Sequence, residues 1–144
     1  MPVDVRRSSM YIICMSDREH TAELMLDFGP DGTNLVPVVT QDMSSREVLI
    51  LAFVNREAFE ETRKTGFAVY FSRSRNTLWR KGETSGNRLA IREIRINCEQ
   101  NSLVFLVDQT GDGACHVLRE DGTHYRGCYY RRIEPSGILE AVDG

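Results

Sequence analysis

The sequence predicts an α+β fold, a mostly antiparallel β-sheet with one main amphipathic helix. Three observations carry that prediction. From Leu35 onward, short runs rich in β-branched and aromatic residues recur between turn-forming residues. One segment alone, 55–66, repeats its apolar residues at helical spacing. The chain has 144 residues, 41% of them hydrophobic and 27% charged, which gives room for one domain able to bury roughly two-thirds of its unfolded surface.

Taken in order, residues 1–30 lack a clear period and include the polar run SDREH and the turn-like GPDG. They read as an N-terminal extension with one short element at TAELMLDF. The domain proper is expected over 31–134. In LVPVVTQD, Leu35, Val36, Val38 and Val39 predict a strand, Asp42 to Ser45 a turn, and EVLILAFV a second strand, together a hairpin. Asn55 can then cap a helix of about three turns in which Ala58, Phe59 and Thr62 share a face. Gly66 stands where a left-handed C-terminal residue is wanted. FAVYFSRS, TLWRKGE, RLAIREIRIN and SLVFLVDQ follow as strands separated by RN, TSGN and EQN. In LAIREIRINC, a period of two puts Ala90, Ile94, Ile96 and Cys98 on one face, and Cys98 is expected to point inward. Residues 135–144 read as a C-terminal tail.

Composition bounds the function. No stretch approaches the ~18 apolar residues of a membrane span, and the apolar core from Met10 to Met15 is too short for a secretory signal. A cytoplasmic protein without a membrane partner is expected. A net charge of −3 argues against nucleic acid as a partner. The positive charge is nevertheless clustered: Arg73, Arg75, Arg80, Lys81, Arg88, Arg92 and Arg95 crowd the middle of the chain. Such a cluster is either a solvated basic face or a local phosphate pocket.

Cys14, Cys98, Cys115 and Cys128 in a chain without an export signal leave three readings: packing, catalysis or metal. The last third, GDGACHVLREDGTHYRGCYYRR, sets His116 beside Cys115 and His124 four residues before Cys128. Thiolate and imidazole are zinc's preferred ligands, and a site with one open position lowers the pKa of bound water to about 7. No paired C-x-x-C is present. His116 could equally be an ordinary hydrogen-bonded strand histidine. Residues 72–87, SRSRNTLWRKGETSGN, join hydroxyls, guanidinium groups, a lysine, an indole and glycines, types that suit a planar phosphorylated ligand. Neither known Gly-rich phosphate loop is present.

On LVPVVTQD, EVLILAFVNREAFEETRKTG, YFSRSRNTLWRKGETSGN, EIRINC, ACH and RGCYYRR, the chain resembles the phosphoribosyl-AMP cyclohydrolase family of histidine biosynthesis, from about Leu35 to Arg132. The resemblance implies hydrolytic opening of a purine ring between N1 and C6 in a nucleotide bearing ribose phosphates on N1 and N9. It also implies an intertwined homodimer with zinc held by three cysteines drawn from both chains, at Cys98, Cys115 and Cys128 here. His116 would be the proton carrier or a further ligand. Ser72, Arg73, Ser74, Arg75, Trp79, Arg80, Lys81, Glu83, Ser85, Gly86 and Asn87 would hold the substrate.

Two departures from the family pattern stand out. Its first zinc cysteine lies in an Asp-Cys-Asp-x-Asp run whose acids bind magnesium, whereas this chain reads Asn97, Cys98, Glu99, Gln100, Asn101. Loss of two carboxylates weakens a magnesium site, although amide oxygens can coordinate. The last two cysteines are also further apart than usual, and a hairpin tip at Asp121 and Gly122 would loop out the excess and let His124 approach the metal. Two alternatives follow: a diverged paralogue that hydrolyses a different C–N bond, or a zinc- and nucleotide-binding protein without turnover.

Overall fold

The computed structural model describes residues 18–142. Cys14 and the apolar stretch from Met10 to Met15 lie outside the described residues. After one helical turn at 18–20, residues 21–28 run without regular structure, so the short element expected at TAELMLDF does not form. The segment meets the domain through side chains instead. Phe28 is buried in the core with Leu26 packed against it, and the Met25 N–H donates to the Gln100 side chain at 2.7 Å.

Strands β1 (Val36–Asp42) and β2 (Val48–Val54) form the expected antiparallel hairpin, with Val36 opposite Val54. Its turn is set by Asp42, whose carboxylate accepts the Ser45 N–H at 2.7 Å. Helix α1 (Arg56–Thr65) begins where Asn55 Oδ1 accepts the Ala58 N–H at 2.9 Å and ends at Gly66, whose φ of 75° no β-carbon opposes. Its buried residues, Ala58, Phe59 and Thr62, are those the spacing selects. The Thr62 hydroxyl accepts the Val69 N–H at 2.9 Å, which pins the helix to the strand that follows.

Strands β3 (Val69–Ser72) and β4 (Thr77–Arg80) form a second hairpin. Strands β5 (Leu89–Ile96) and β6 (Leu103–Gln109) then complete a four-stranded sheet of order β2-β1-β6-β5. All its pairings are antiparallel except β1 with β6, where Val38 lies opposite Leu103 in parallel register. Strands β7 (Arg131–Ile133) and β8 (Leu139–Ala141) make a small hairpin of their own. The fold is thus α+β and mostly antiparallel.

The expected face of β5 needs correction. The register slips between Ile91 and Glu93, so Arg92 is an extra residue and the alternation inverts across it. Ile91 and Ile94 pack on the core, Ala90 falls on the other face, and Ile96 is 38% exposed. The strand ends at Ile96, and Cys98 sits exposed in the turn between β5 and β6 rather than pointing inward.

Candidate active site

The segment after β6 is shaped by close backbone approach. A β-carbon on Gly113 would come within 2.2 Å of the Tyr125 carbonyl oxygen. That proximity lets 114–126 fold back as an irregular hairpin, with Ala114 N–H on the Arg126 carbonyl at 2.9 Å and Arg119 N–H on the Thr123 carbonyl at 2.7 Å. Its tip falls where the Asp-Gly pair predicts. Gly122 has a φ of 85°, and Asp121 Oδ1 accepts both the N–H and the hydroxyl of Thr123. The wide spacing of the last two cysteines is therefore taken up as a projection.

Beyond the hairpin the chain returns to the free edge of β2, where the Cys128 N–H donates to the Leu49 carbonyl at 2.7 Å. This brings the Cys128 thiol beside that of Cys115. Cys115 is buried. Cys128 as a residue is exposed, yet its sulfur sits on the sheltered side. Burial and the neighbouring Cys115 thiol push it up to about 11, with the Lys81 ammonium acting in the opposite sense. Lys81 is itself buried, which lowers the affinity of its amine for a proton, while the two sulfurs raise it. Two adjacent thiols facing a desolvated cation form a pair that ionises readily only when a metal or a lysine carries the opposing charge.

His116 and His124 join Cys115 in the wall of a cavity of about 500 Å³ whose opposite wall is the β3–β4 hairpin and the loop after it. His124 Nδ1 lies 2.7 Å from the Cys115 carbonyl oxygen, which can only accept. Nδ1 therefore donates in this contact. The Asp112 carboxylate fixes this histidine from behind by accepting its backbone N–H at 2.8 Å, an interaction that also holds the Asp112 carboxyl below the usual range.

Of the residues read as substrate-binding, Ser72, Ser74, Arg75, Trp79, Arg80, Lys81, Glu83 and Ser85 line this cavity. Trp79 is 37% exposed and meets Tyr70 in a tilted contact at 5.5 Å between centroids, so its indole lines the cavity rather than joining the core. Arg80 is already engaged, in a bidentate pair with Glu61 of α1 at 2.8 and 2.9 Å. Three residues stand apart. Arg73 stacks over Phe53 outside the cavity, at 4.1 Å from the ring centroid. Gly86, with a φ of 79°, closes a turn on the Gly82 carbonyl. Asn87 is buried beneath Gly111, where a β-carbon would lie 1.8 Å from its Oδ1.

Cys98, Asn97, Glu99 and Asn101 lie elsewhere, in the turn beside edge strand β5, whereas Cys128 docks on the opposite edge strand, β2. Within one chain, among the described residues, no three metal-ligating side chains converge. Leu78, Gly82 and Thr84 also line the cavity; they fall within the 72–87 segment read as ligand-binding without being singled out there. Sequence reasoning missed Asp112, although a carboxylate flanked by glycines just before Ala114 was a legible signal.

One thiol, two imidazoles and a basic loop lining one small cavity form a concave pocket rather than a flat binding face. A family model described as phosphoribosyl-AMP cyclohydrolase matches residues 50–130. A phosphoribosyl-AMP cyclohydrolase of Haloquadratum walsbyi is 47% identical over 121 residues, covering 84% of this chain and 85% of that protein. Those of Archaeoglobus fulgidus, 51% identical over 72% of this chain and 90% of the relative, and Desulfotalea psychrophila, 47% identical over 79% and 85%, agree. The chain belongs to the phosphoribosyl-AMP cyclohydrolase family.

Proposed function

We propose that this protein hydrolyses phosphoribosyl-AMP at the N1–C6 bond, with zinc held by Cys115 and Cys128 of one chain and Cys98 of a second copy. The observation that carries the reading is a cavity lined by Cys115 and His116, floored by Trp79 and walled by Arg75 and Lys81, with the Cys128 thiol beside Cys115. The donor set fits the metal: the two thiols are neighbours, and each would lose its proton on ligation. The exposed position of Cys98, far from the pair in its own chain, suits a ligand offered across a homodimer.

Zinc bound there supplies a Lewis acid that activates water near neutral pH. The remaining work falls to the chain. Trp79 offers a face for the purine, and Arg75 and Lys81 give the phosphates a positive surround. His116 accepts one proton of the attacking water and returns it to N1 as the C6–N1 bond breaks; the water oxygen stays on C6, and its second proton passes to the exocyclic imino nitrogen to complete the carboxamide.

Incubation of the purified, zinc-supplied protein with phosphoribosyl-AMP tests this reading, and no ring-opened product would overturn it. Zinc analysis of Cys115→Ser is expected to show metal content falling to a small fraction of wild type. Light scattering is expected to give twice the chain mass. A second reading is favoured by His124, which the lengthened hairpin places in the cavity wall. On that reading the enzyme cleaves a C–N bond in a related nucleotide, and it predicts normal zinc content with failure to restore histidine synthesis.

A further inference from the structure

We infer that the β5–β6 turn of this chain holds no magnesium and serves instead as the anchor for the chain's own N-terminal segment. The family resemblance sets acids at 97, 99 and 101; this chain has Asn97, Glu99 and Asn101. Their hydrogen bonds fix the orientation of both amides. Asn97 Oδ1 accepts the backbone N–H groups of Asn101 and Ser102, each at 2.9 Å. Backbone N–H can only donate, so the oxygen must face them and Nδ2 must face away. That Nδ2 donates to Asn101 Oδ1 at 2.6 Å. Asn101 Nδ2 in turn faces Glu99 Oε2 at 3.2 Å.

An aspartate at 97 would accept the same two N–H groups with one oxygen and aim its second oxygen at the residue at 101. Two carboxylates facing each other in that way call for a cation between them. Here an amide N–H fills that role, and the turn is internally neutral at the contact. Magnesium demands near-octahedral oxygen ligation and is bound through carboxylates. Asn97 presents it a hydrogen-bond donor, the Asn101 oxygen is engaged, and the Glu99 carboxylate alone remains.

The residue between them has turned to a different use. Gln100 is buried, its backbone held at a φ of 54°. Its Oε1 accepts the Met25 N–H at 2.7 Å, and its Nε2 donates to the carbonyls of Arg18 at 2.9 Å and Glu23 at 3.3 Å. Arg18 also donates to the Glu99 carbonyl at 3.4 Å, which sets a guanidinium against the turn. A cation beside the turn further disfavours a divalent one.

The test is calorimetric titration of the zinc-loaded protein with magnesium chloride, alongside melting curves with and without millimolar magnesium. The wild type is expected to give no saturable heat and an unchanged Tm. The variant Asn97→Asp/Glu99→Asp/Asn101→Asp is expected to gain one magnesium per chain and a Tm that rises with the metal. Saturable one-to-one binding by the wild type overturns the inference, whether or not the triple variant folds. Gln100→Ala is expected to expose the 18–25 segment to protease before the rest of the chain. Unchanged cleavage there would overturn the anchoring role. No substrate enters these measurements, so they stand or fall apart from the proposed reaction.

Discussion

Tyr70 and Thr40 offer a measurable test of how the core beneath the cavity is built. Both residues are 0% exposed, and their hydroxyl oxygens lie 2.6 Å apart. Tyr70→Phe removes one hydroxyl and strands the other in a place without water, which costs about 1–3 kcal/mol. At about 4 °C per kcal/mol for a chain of this size, melting should fall by about 4–12 °C. Thr40→Val should cost a similar amount by stranding the phenol. The double variant should lose clearly less than the sum, because no polar group is then left unsatisfied, giving a coupling of about 1–2 kcal/mol. Denaturant unfolding of the four proteins measures it, and strict additivity would refute the pairing. The pair also has a pH signature. Burial holds the Tyr70 hydroxyl well above its ordinary value of 10.0, so the unfolded chain loses this proton first as pH rises. Its contribution is complete below pH 10 and declines above it. Tyr70→Phe should flatten that alkaline loss relative to wild type.

Other expectations follow from single contacts. Asn55→Ala should destabilise by about 1 kcal/mol through loss of the helix cap, with little change in zinc content, as read by urea unfolding and metal analysis. Gly66→Ala and Gly82→Ala share a positive φ but not a setting. The first meets nothing within 4 Å and should cost about 1 kcal/mol of backbone strain, while the second sets a β-carbon 2.4 Å from the Arg88 nitrogen and should cost more, displacing the neighbouring Lys81 and reducing turnover. Equal losses from the two would show that the 82–88 loop yields more easily than its contacts imply. Cys98→Ser should lower zinc content and, on light scattering, leave the chain folded, since the side chain is exposed.

The elements that sequence resolved best are those whose signals are local. The β1–β2 hairpin was marked by Asp42, the helix by Asn55 and Gly66, and the projecting tip by Asp121 and Gly122; each acts through its own backbone within a few residues. Longer-range features left no such trace. The parallel pairing of β1 with β6 depends on two apolar strands recognising one another across the chain. The bulge at Arg92 inverted a face that periodicity alone assigned, because an alternation rule has no means of anticipating an inserted residue. For the site, residue types picked out the segment 72–87, most of whose named residues line one cavity. They did not reveal that Arg80 is claimed by Glu61, that Asn87 is a buttress, or that Cys98 stands on the far edge of the sheet, since each of these is decided by a neighbour distant in sequence.

The parallel β1–β6 contact also sets an order of events during synthesis. The first hairpin emerges early, with β1 satisfied along one edge by β2 and bare along the other until β6 has been made. Everything between, the helix, the second hairpin and the basic loop, must be translated before the sheet can close. Pairings separated so far in sequence are slow to form, and an unpaired strand edge is where a growing chain associates with its neighbours. The step that unites the two halves of the sheet is thus the latest of the sheet's own pairings and the one before which its inner strand edge stays open to another copy of the chain.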